Sequence, residues 1–249
     1  MNYIGDLNNQ SALTMPDGAF GVGLHTRLDN RWAIRYEAAY GHVHSDDYIE
    51  RRNLSFRSSI VEAAVIGEFN FWNYGVGATD KTWVFYLYGG IGAFHFDPMT
   101  SYTAADGTVQ WVRLQPLHTE GQGSLLYPGR KQYSLFQLML PFGVGMKARL
   151  NKTFCVSVEY GFRKTWTDYL DDVSTTYVDA EVFDEVASDP ELAAFLADRS
   201  GEVVDGYVNA PGIKRGDDSL DDWYAYLHFS VGINLETLLG WTRSKRCKQ

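Results

Sequence analysis

Apolar and polar residues alternate along most of this chain with a period of two. From Phe136 one set reads Phe136, Leu138, Leu140, Phe142, Val144, Met146 and Ala148, and the other reads Gln137, Met139, Pro141, Gly143, Gly145, Lys147 and Arg149. After a break at 151–153 the pattern restarts, with Phe154, Val156, Val158, Tyr160 and Phe162 opposite Cys155, Ser157, Glu159, Gly161 and Arg163. Successive side chains of a strand point to opposite faces, so such runs predict strands with one apolar face. Similar runs cover 3–7, 19–28, 32–42, 59–71, 83–94 and 223–235, which makes eight strands, the first a fragment. The breaks alternate in length. Those at 29–31, 72–82 and 151–153 are short, and those at 8–18, 43–58, 95–134 and 168–222 are longer.

The charges decide which way such a sheet faces. Arg27, Arg35, Glu37, Glu62, Glu68, Lys147, Arg149, Glu159 and Arg163 all fall in the set opposite the apolar face. A soluble eight-stranded barrel of lipocalin type would have the apolar set inside and the polar set outside. An apolar set with no protein layer to cover it finds that layer in lipid, and the charges then pack into the narrow interior as a mixed-sign network. The expected fold is therefore all-β: an eight-stranded antiparallel transmembrane β-barrel of the outer-membrane type over 1–235, with long outer loops at about 95–134 and 168–222. The short turns and both termini would face the periplasm, and 236–249 would form a basic tail.

Composition agrees with this. The chain is 45% hydrophobic and 15% aromatic, with 24 glycines. Its mean hydropathy is −0.26. No stretch approaches the roughly 20 apolar residues of a spanning helix, but a membrane barrel, in which only alternate residues meet lipid, keeps a low average. Export to the outer membrane requires a signal peptide, and none is visible.

The net charge is −9, yet 168–222 alone carries 16 acidic and three basic residues, leaving +4 for the remainder. Such a loop either binds divalent cations or a basic partner, or is a solvated surface; no twelve-residue calcium-loop pattern is present. Within it, 188–201 reads as a short helix capped by Ser188 or Asp189, with Pro190 in its first turn and Gly201 after its end. Cys155 and Cys247 show no metal or redox spacing. An outer-membrane hydrolase would need a nucleophile and a base, for which His42, His44 and His118 are the available histidines at outer strand ends and loops; none stands in a recognised catalytic motif.

The words NYIGDLN (2–8), RNLSFRSSIVEAAVIGEFNFWNY (52–74), YLYGGIGAFHFDP (86–98), QPLHTEGQG (115–123) and YSLFQLMLPFGVGMKARLNKTFCVSVEYGFRKTWTDYLDDVSTTYVD (133–179) resemble, in order, the PorG family. These are outer-membrane barrel components of the type IX secretion system of Bacteroidota. The resemblance implies a non-enzymatic protein without a cofactor or metal, which binds a periplasmic ring lipoprotein and its partner protein and ties the ring to the outer membrane. It also implies a complete first strand and a signal sequence. The partner-binding surface would then be the periplasmic turns and tail: Asp29, Asn30, Arg31, Asn73, Tyr74, Asp80, Lys81, Asn151, Lys152, Trp241, Arg243, Lys245 and Arg246. Outer-membrane lipid is the other expected contact, and nucleic acid is not one. Two rivals stay open: an outer-membrane lipid-modifying barrel enzyme, and a surface-exposed structural or adhesin barrel working through its acidic loop.

Overall fold

The structure, a computed structural model, describes residues 1–7, 17–49, 51–74 and 81–238. It is all-β. Among the described residues nine strands form one antiparallel sheet: β1 (Asn2–Ile4), β2 (Ala19–Arg27), β3 (Trp32–Asp46), β4 (Ser55–Asn70), β5 (Trp83–Thr103), β6 (Val109–Arg113), β7 (Phe136–Arg149), β8 (Phe154–Thr165) and β9 (Trp223–Ile233). No described helix is long and apolar enough to cross a membrane, which leaves crossing by strands untouched.

The ladder runs β1-β9-β8-β7-β5-β4-β3-β2, with β6 paired to β5 alone. Neighbours in this order are neighbours in sequence apart from β1–β9 and β5–β7, where β6 intervenes, as expected of hairpins. Between β5 and β7 the ladder skips from Gly89↔Phe142 to Gly92↔Met139. Pro141 lies in that interval and has no N–H to donate.

Two expectations need correction. The ladder does not close on itself: it ends at β1 and β2. Those two are joined at one point, where Asp17 N donates to Met1 O at 2.9 Å and Met1 N donates to Asp17 O at 2.5 Å. The long breaks are also shorter than the alternation suggested. β3, β4 and β5 run on past the apolar band, and the β5–β6 hairpin occupies the start of the presumed 95–134 loop.

The sheet is nevertheless rolled. Arg35 on β3 donates from Nη2 to Glu159 Oε2 on β8 at 3.0 Å, although β4, β5 and β7 separate those strands in the ladder. The outward set is exposed and the inward set buried: along β4, Val61, Ala63, Val65 and Gly67 alternate with the buried Ile60, Glu62, Ala64, Ile66 and Glu68.

The loop end is closed by a cap built from 114–135 and 166–222. Leu114, Leu117, Tyr133, Leu170, Val173, Phe183 and Leu196 pack there against Leu7, Leu54 and Phe96. The cap holds two short helices, α1 (Phe183–Val186) and α2 (Pro190–Ala197). Asp189 caps α2 by accepting from Leu192 N, with Pro190 opening the helix as the sequence implied. The helix stops at Ala197 rather than running on to Gly201, because Asp198 leaves helical geometry and its carboxylate binds Ser200 and Asn209 instead. A last helix, α3 (Leu235–Leu238), follows β9.

Candidate functional site

Three groups of side chains stand out: the interior, the cap and the turn end. In the interior, Arg163 is fully buried on β8. Its Nη2 reaches Glu37 Oε1 at 2.9 Å and Glu62 Oε1 at 3.2 Å. Tyr224 donates to the other oxygen of Glu62 at 2.6 Å. One level nearer the turns, Lys147 donates to Glu68 at 2.6 Å, and Arg35 bridges Glu159 and Glu68. His25 also meets Glu68, at 3.0 Å, and Tyr86 donates to Glu159. Buried charges persist only when paired and hydrogen-bonded, and here each carboxylate meets a cation.

Seven of the nine interior charges expected from sequence thus meet one another: Arg35, Glu37, Glu62, Glu68, Lys147, Glu159 and Arg163. Arg27 is exposed on β2, and Arg149 is half-buried at the turn end. The tyrosines were missed. Their signal was present, since Tyr86, Tyr88, Tyr224 and Tyr226 fall in the inward set. The Tyr88 ring faces Arg35 at 5.3 Å and the Tyr226 ring faces Arg163 at 4.2 Å.

The cap overturns the picture of 168–222 as a wholly solvated loop. Asp171, Asp172, Asp222 and Arg215 are buried. Arg215 donates to Glu120 at 3.0 Å and to the carbonyls of Asp172 and Ala197 at 2.6 and 3.1 Å. Glu120 also accepts from Ser174 N, Thr175 N and Thr175 Oγ1. Asp172 accepts from Tyr133 Oη at 2.7 Å and Thr119 Oγ1 at 2.5 Å. Burial pushes the Asp168 carboxyl up to about 9 and Asp172 to about 6; Asp171 and Asp222 are raised too, by burial first, and Asp222 also by Asp171 and Asp168 beside it. Among the described residues no group of three or more His, Cys, Asp or Glu side chains is arranged to hold a metal ion.

At the turn end, Asp29 accepts from the backbone N–H of Arg31 at 2.6 Å and of Trp32 at 2.8 Å, which makes the β2–β3 turn and holds its exposed carboxyl below the usual range. Asn151 makes the β7–β8 turn in the same way, accepting from Thr153 N and Phe154 N. The turns are linked. Tyr74 N donates to Asn30 O at 3.0 Å, next to Asn73, and Thr237 Oγ1 on α3 donates to Lys152 O at 3.2 Å. Lys81 lies over the Trp72 ring at 4.8 Å. Asp80, Trp241, Arg243, Lys245, Arg246 and Cys247 lie outside the described residues.

Aromatic clusters mark both ends of the outward face. Trp32–Phe69, Trp72–Trp83 and Trp83–Phe85 contact one another at the turn end. Phe142–Trp223 and the cation–ring pairs Lys164–Trp223 and Arg57–Trp111 lie toward the cap. Of the histidines singled out in the sequence, His42 meets Tyr40 at 3.1 Å, His44 meets Asp17 at 2.5 Å and His118 meets Gln132 at 3.4 Å. None of these partners is a serine.

No curated protein and no solved structure matches the chain. Residues 1–111, which reach from β1 into β6, are similar to a family described as a domain of unknown function, DUF6089.

Proposed function

We propose that this chain forms an eight-stranded outer-membrane β-barrel that holds a periplasmic ring of the type IX secretion machinery at the membrane through its turn-end surface. The β5–β6 hairpin is then an extension above the barrel rather than a spanning strand. The observation that carries the membrane reading is the polarity of the rolled sheet. Paired charges fill the interior, while Phe136, Leu138, Val144, Phe229 and Val231 face outward without cover. Along β4 and the residue after it the outward apolar band runs from Val61 to Phe71, about 34 Å along the chain at ~3.4 Å per residue. At a tilt near 40° that is a height of about 25 Å, the apolar band of outer-membrane barrels. The aromatic clusters at its two ends fit interfacial girdles.

The anchoring role rests on the resemblance to PorG-like proteins and on the linked turns, which offer a preformed surface carrying Arg31, Lys81 and Lys152. Crosslinking in the native outer membrane, mild-detergent extraction and mass spectrometry of what is captured test it. Recovery of a periplasmic lipoprotein and its ring partner, lost when the short turns and 236–249 are altered, is the expected result. Recovery of the barrel with lipopolysaccharide alone would overturn the anchoring role.

A further inference from the structure

The outward face of the sheet is not evenly filled. Across β4, β5 and β7 it carries a groove of about 560 Å³. Val65, Ile91, Leu138 and Leu140 line it, and Trp166, just after β8, stands at one end. Its depth has a local cause. Ala63 pairs with Ala38 on one side and Ala93 on the other, so three neighbouring outward positions carry only a methyl group. Nearer the turns Gly67 pairs with Gly89, and a Cβ on either would meet nothing closer than 3.7 Å. Protein packing does not ask for small residues at those two positions. The volume and the apolar lining are those of a small-molecule or lipid site, which needs only a few polar groups to fix orientation.

Those polar groups lie on its cap side. The outward line of β4 runs from Ala63 through Val61 and Ser59 to Arg57, roughly 20 Å along the strand. Arg57, Met99 and Arg113 form one cross-strand row over β4, β5 and β6, with His95 between that row and the groove. Arg113 is exposed and meets Asp97 at 3.0 Å. The Arg57 guanidinium lies over the Trp111 ring at 4.1 Å, and among the described residues it meets no carboxylate. In the interior Arg35, Lys147 and Arg163 each meet one. A cation held on an indole at the rim of an apolar groove, with its charge unanswered, is complementary to an anion that carries an apolar chain.

We propose that the groove and its rim seat one phosphorylated lipid of the outer leaflet, with an acyl chain against Ala63 and Leu138 and a phosphate on Arg57 and Arg113. The proposal rests on the barrel reading, which puts the cap outside, and goes beyond it by naming the lipid and its seat. The planar guanidinium fork pairs with phosphate through two parallel hydrogen bonds. Indole rings sit at headgroup level in membrane proteins, which is where Trp111 holds Arg57. The acyl chain supplies affinity through buried apolar area, and the phosphate supplies selectivity. Asp97 already answers part of the Arg113 charge, so Arg57 carries most of that selectivity.

The test is native mass spectrometry of the detergent-purified protein titrated with diphosphorylated lipid A and with the same lipid stripped of its phosphates. The expected result is one lipid per chain, bound roughly tenfold more weakly once the phosphates are gone or Arg57→Gln is introduced. Ala63→Phe fills the groove and should weaken both lipids alike; Ala93→Leu fills the same row if that variant does not fold. Arg27→Gln, at the turn end, should change neither. Equal binding of the two lipids, indifference to Arg57→Gln, or indifference to filling the groove overturns the proposal. A second arm places a photo-crosslinking residue at Ile91 in the native outer membrane. Capture of lipid is expected, and capture of a polypeptide there overturns the proposal while leaving the barrel reading standing. Absence of the protein from the outer membrane sinks the barrel reading itself, and the proposal with it.

Discussion

The phenol oxygen of Tyr3 lies 2.5 Å from Oδ2 of Asp171, 168 residues further along the chain. It also lies 2.8 Å from Oδ1 of Asp222. A hydroxyl has one hydrogen to donate. If it goes to one carboxylate, the other contact needs a proton on the second carboxyl. The cap is therefore fastened to β1 by a buried acid–phenol–acid bridge that shares two protons. Asp6, Asp168, Asp172 and Glu120 crowd the same region, answered by Arg52 and Arg215.

This fixes the sign of a pH dependence. Burial raises Asp172 from the ordinary value of 3.8 to about 6 and Asp168 to about 9, and raises Asp171 as well. Their contribution to cap stability is complete below the unfolded value and is lost as pH rises through the folded ones. Amide exchange of 168–175 and 214–222, corrected for intrinsic rates and compared with amides of the sheet, is expected to be slowest at about pH 4 and below. It should accelerate stepwise up to about pH 9. Protection that stays flat or increases over that range would contradict the shared-proton bridge. Tyr3→Phe removes the bridge and is expected to cost roughly 1–3 kcal/mol, read as faster exchange confined to the cap.

Arg163 faces two carboxylates, Glu37 and Glu62, from the opposite wall. Arg163→Met leaves Glu62 without its cation, while Glu37 keeps Arg35 Nε at 3.0 Å, and breaking a buried pair in this way costs roughly 3–5 kcal/mol. Adding Glu62→Gln removes the orphaned charge. The double variant is therefore expected to be more stable than Arg163→Met alone. The urea midpoint in detergent micelles measures this. A double variant no better than the single would mean that the charges are solvated rather than packed.

The strands of the sheet were legible in the sequence because their physics is local. The period of two in β4 sorts Glu62 and Glu68 from Val61 and Val65 without any tertiary knowledge, and Asp29 and Asn151 announce their turns. The cap was not legible. What neutralises Asp172 and Glu120 comes from Thr119, Tyr133 and Arg215, and what fastens Asp171 comes from Tyr3, so a charge run read alone looked solvated. β6 and the far half of β5 were hidden for another reason. Asp97 and Pro98 look like a strand end, yet Pro98 still accepts from Leu114 N through its carbonyl and keeps its place opposite Ser58. The turn-end surface was legible as position, since hairpin parity brings 29–31 and 151–153 to one end. Its Tyr74–Asn30 and Thr237–Lys152 links were not.

Gly161 on β8 is held small by a neighbour across the interior. A Cβ there would sit 1.8 Å from Tyr88 Oη but 3.0 Å from Tyr88 Cζ. Gly161→Ala is expected to destabilise by about 1–3 kcal/mol, the usual range for overpacking. Tyr88→Phe removes the offending oxygen, so most of the loss should return in the double variant. Melting of both proteins in the same detergent checks it, and an equal loss with or without the hydroxyl would rule out this contact as the cause.

Val65 and Ser59 both point outward from β4, Val65 in the middle of the apolar band and Ser59 at its cap side. If lipid covers that band, an arginine costs most at mid-depth. Val65→Arg is expected to lose about 2–4 kcal/mol and Ser59→Arg about 0–1 kcal/mol in folding into bilayers. If water covered it, both would be surface changes within about 0.5 kcal/mol of neutral. The difference between the two sites, measured by reversible folding into phospholipid vesicles, is worth more than either value. It cancels the effect of arginine on strand propensity and on the unfolded chain, and leaves depth in the hydrocarbon as the variable. A gradient that vanishes would return the outward face of Val61, Val65 and Phe69 to water or to a protein partner, and with it the reason for reading the charged interior as the inside of a membrane barrel.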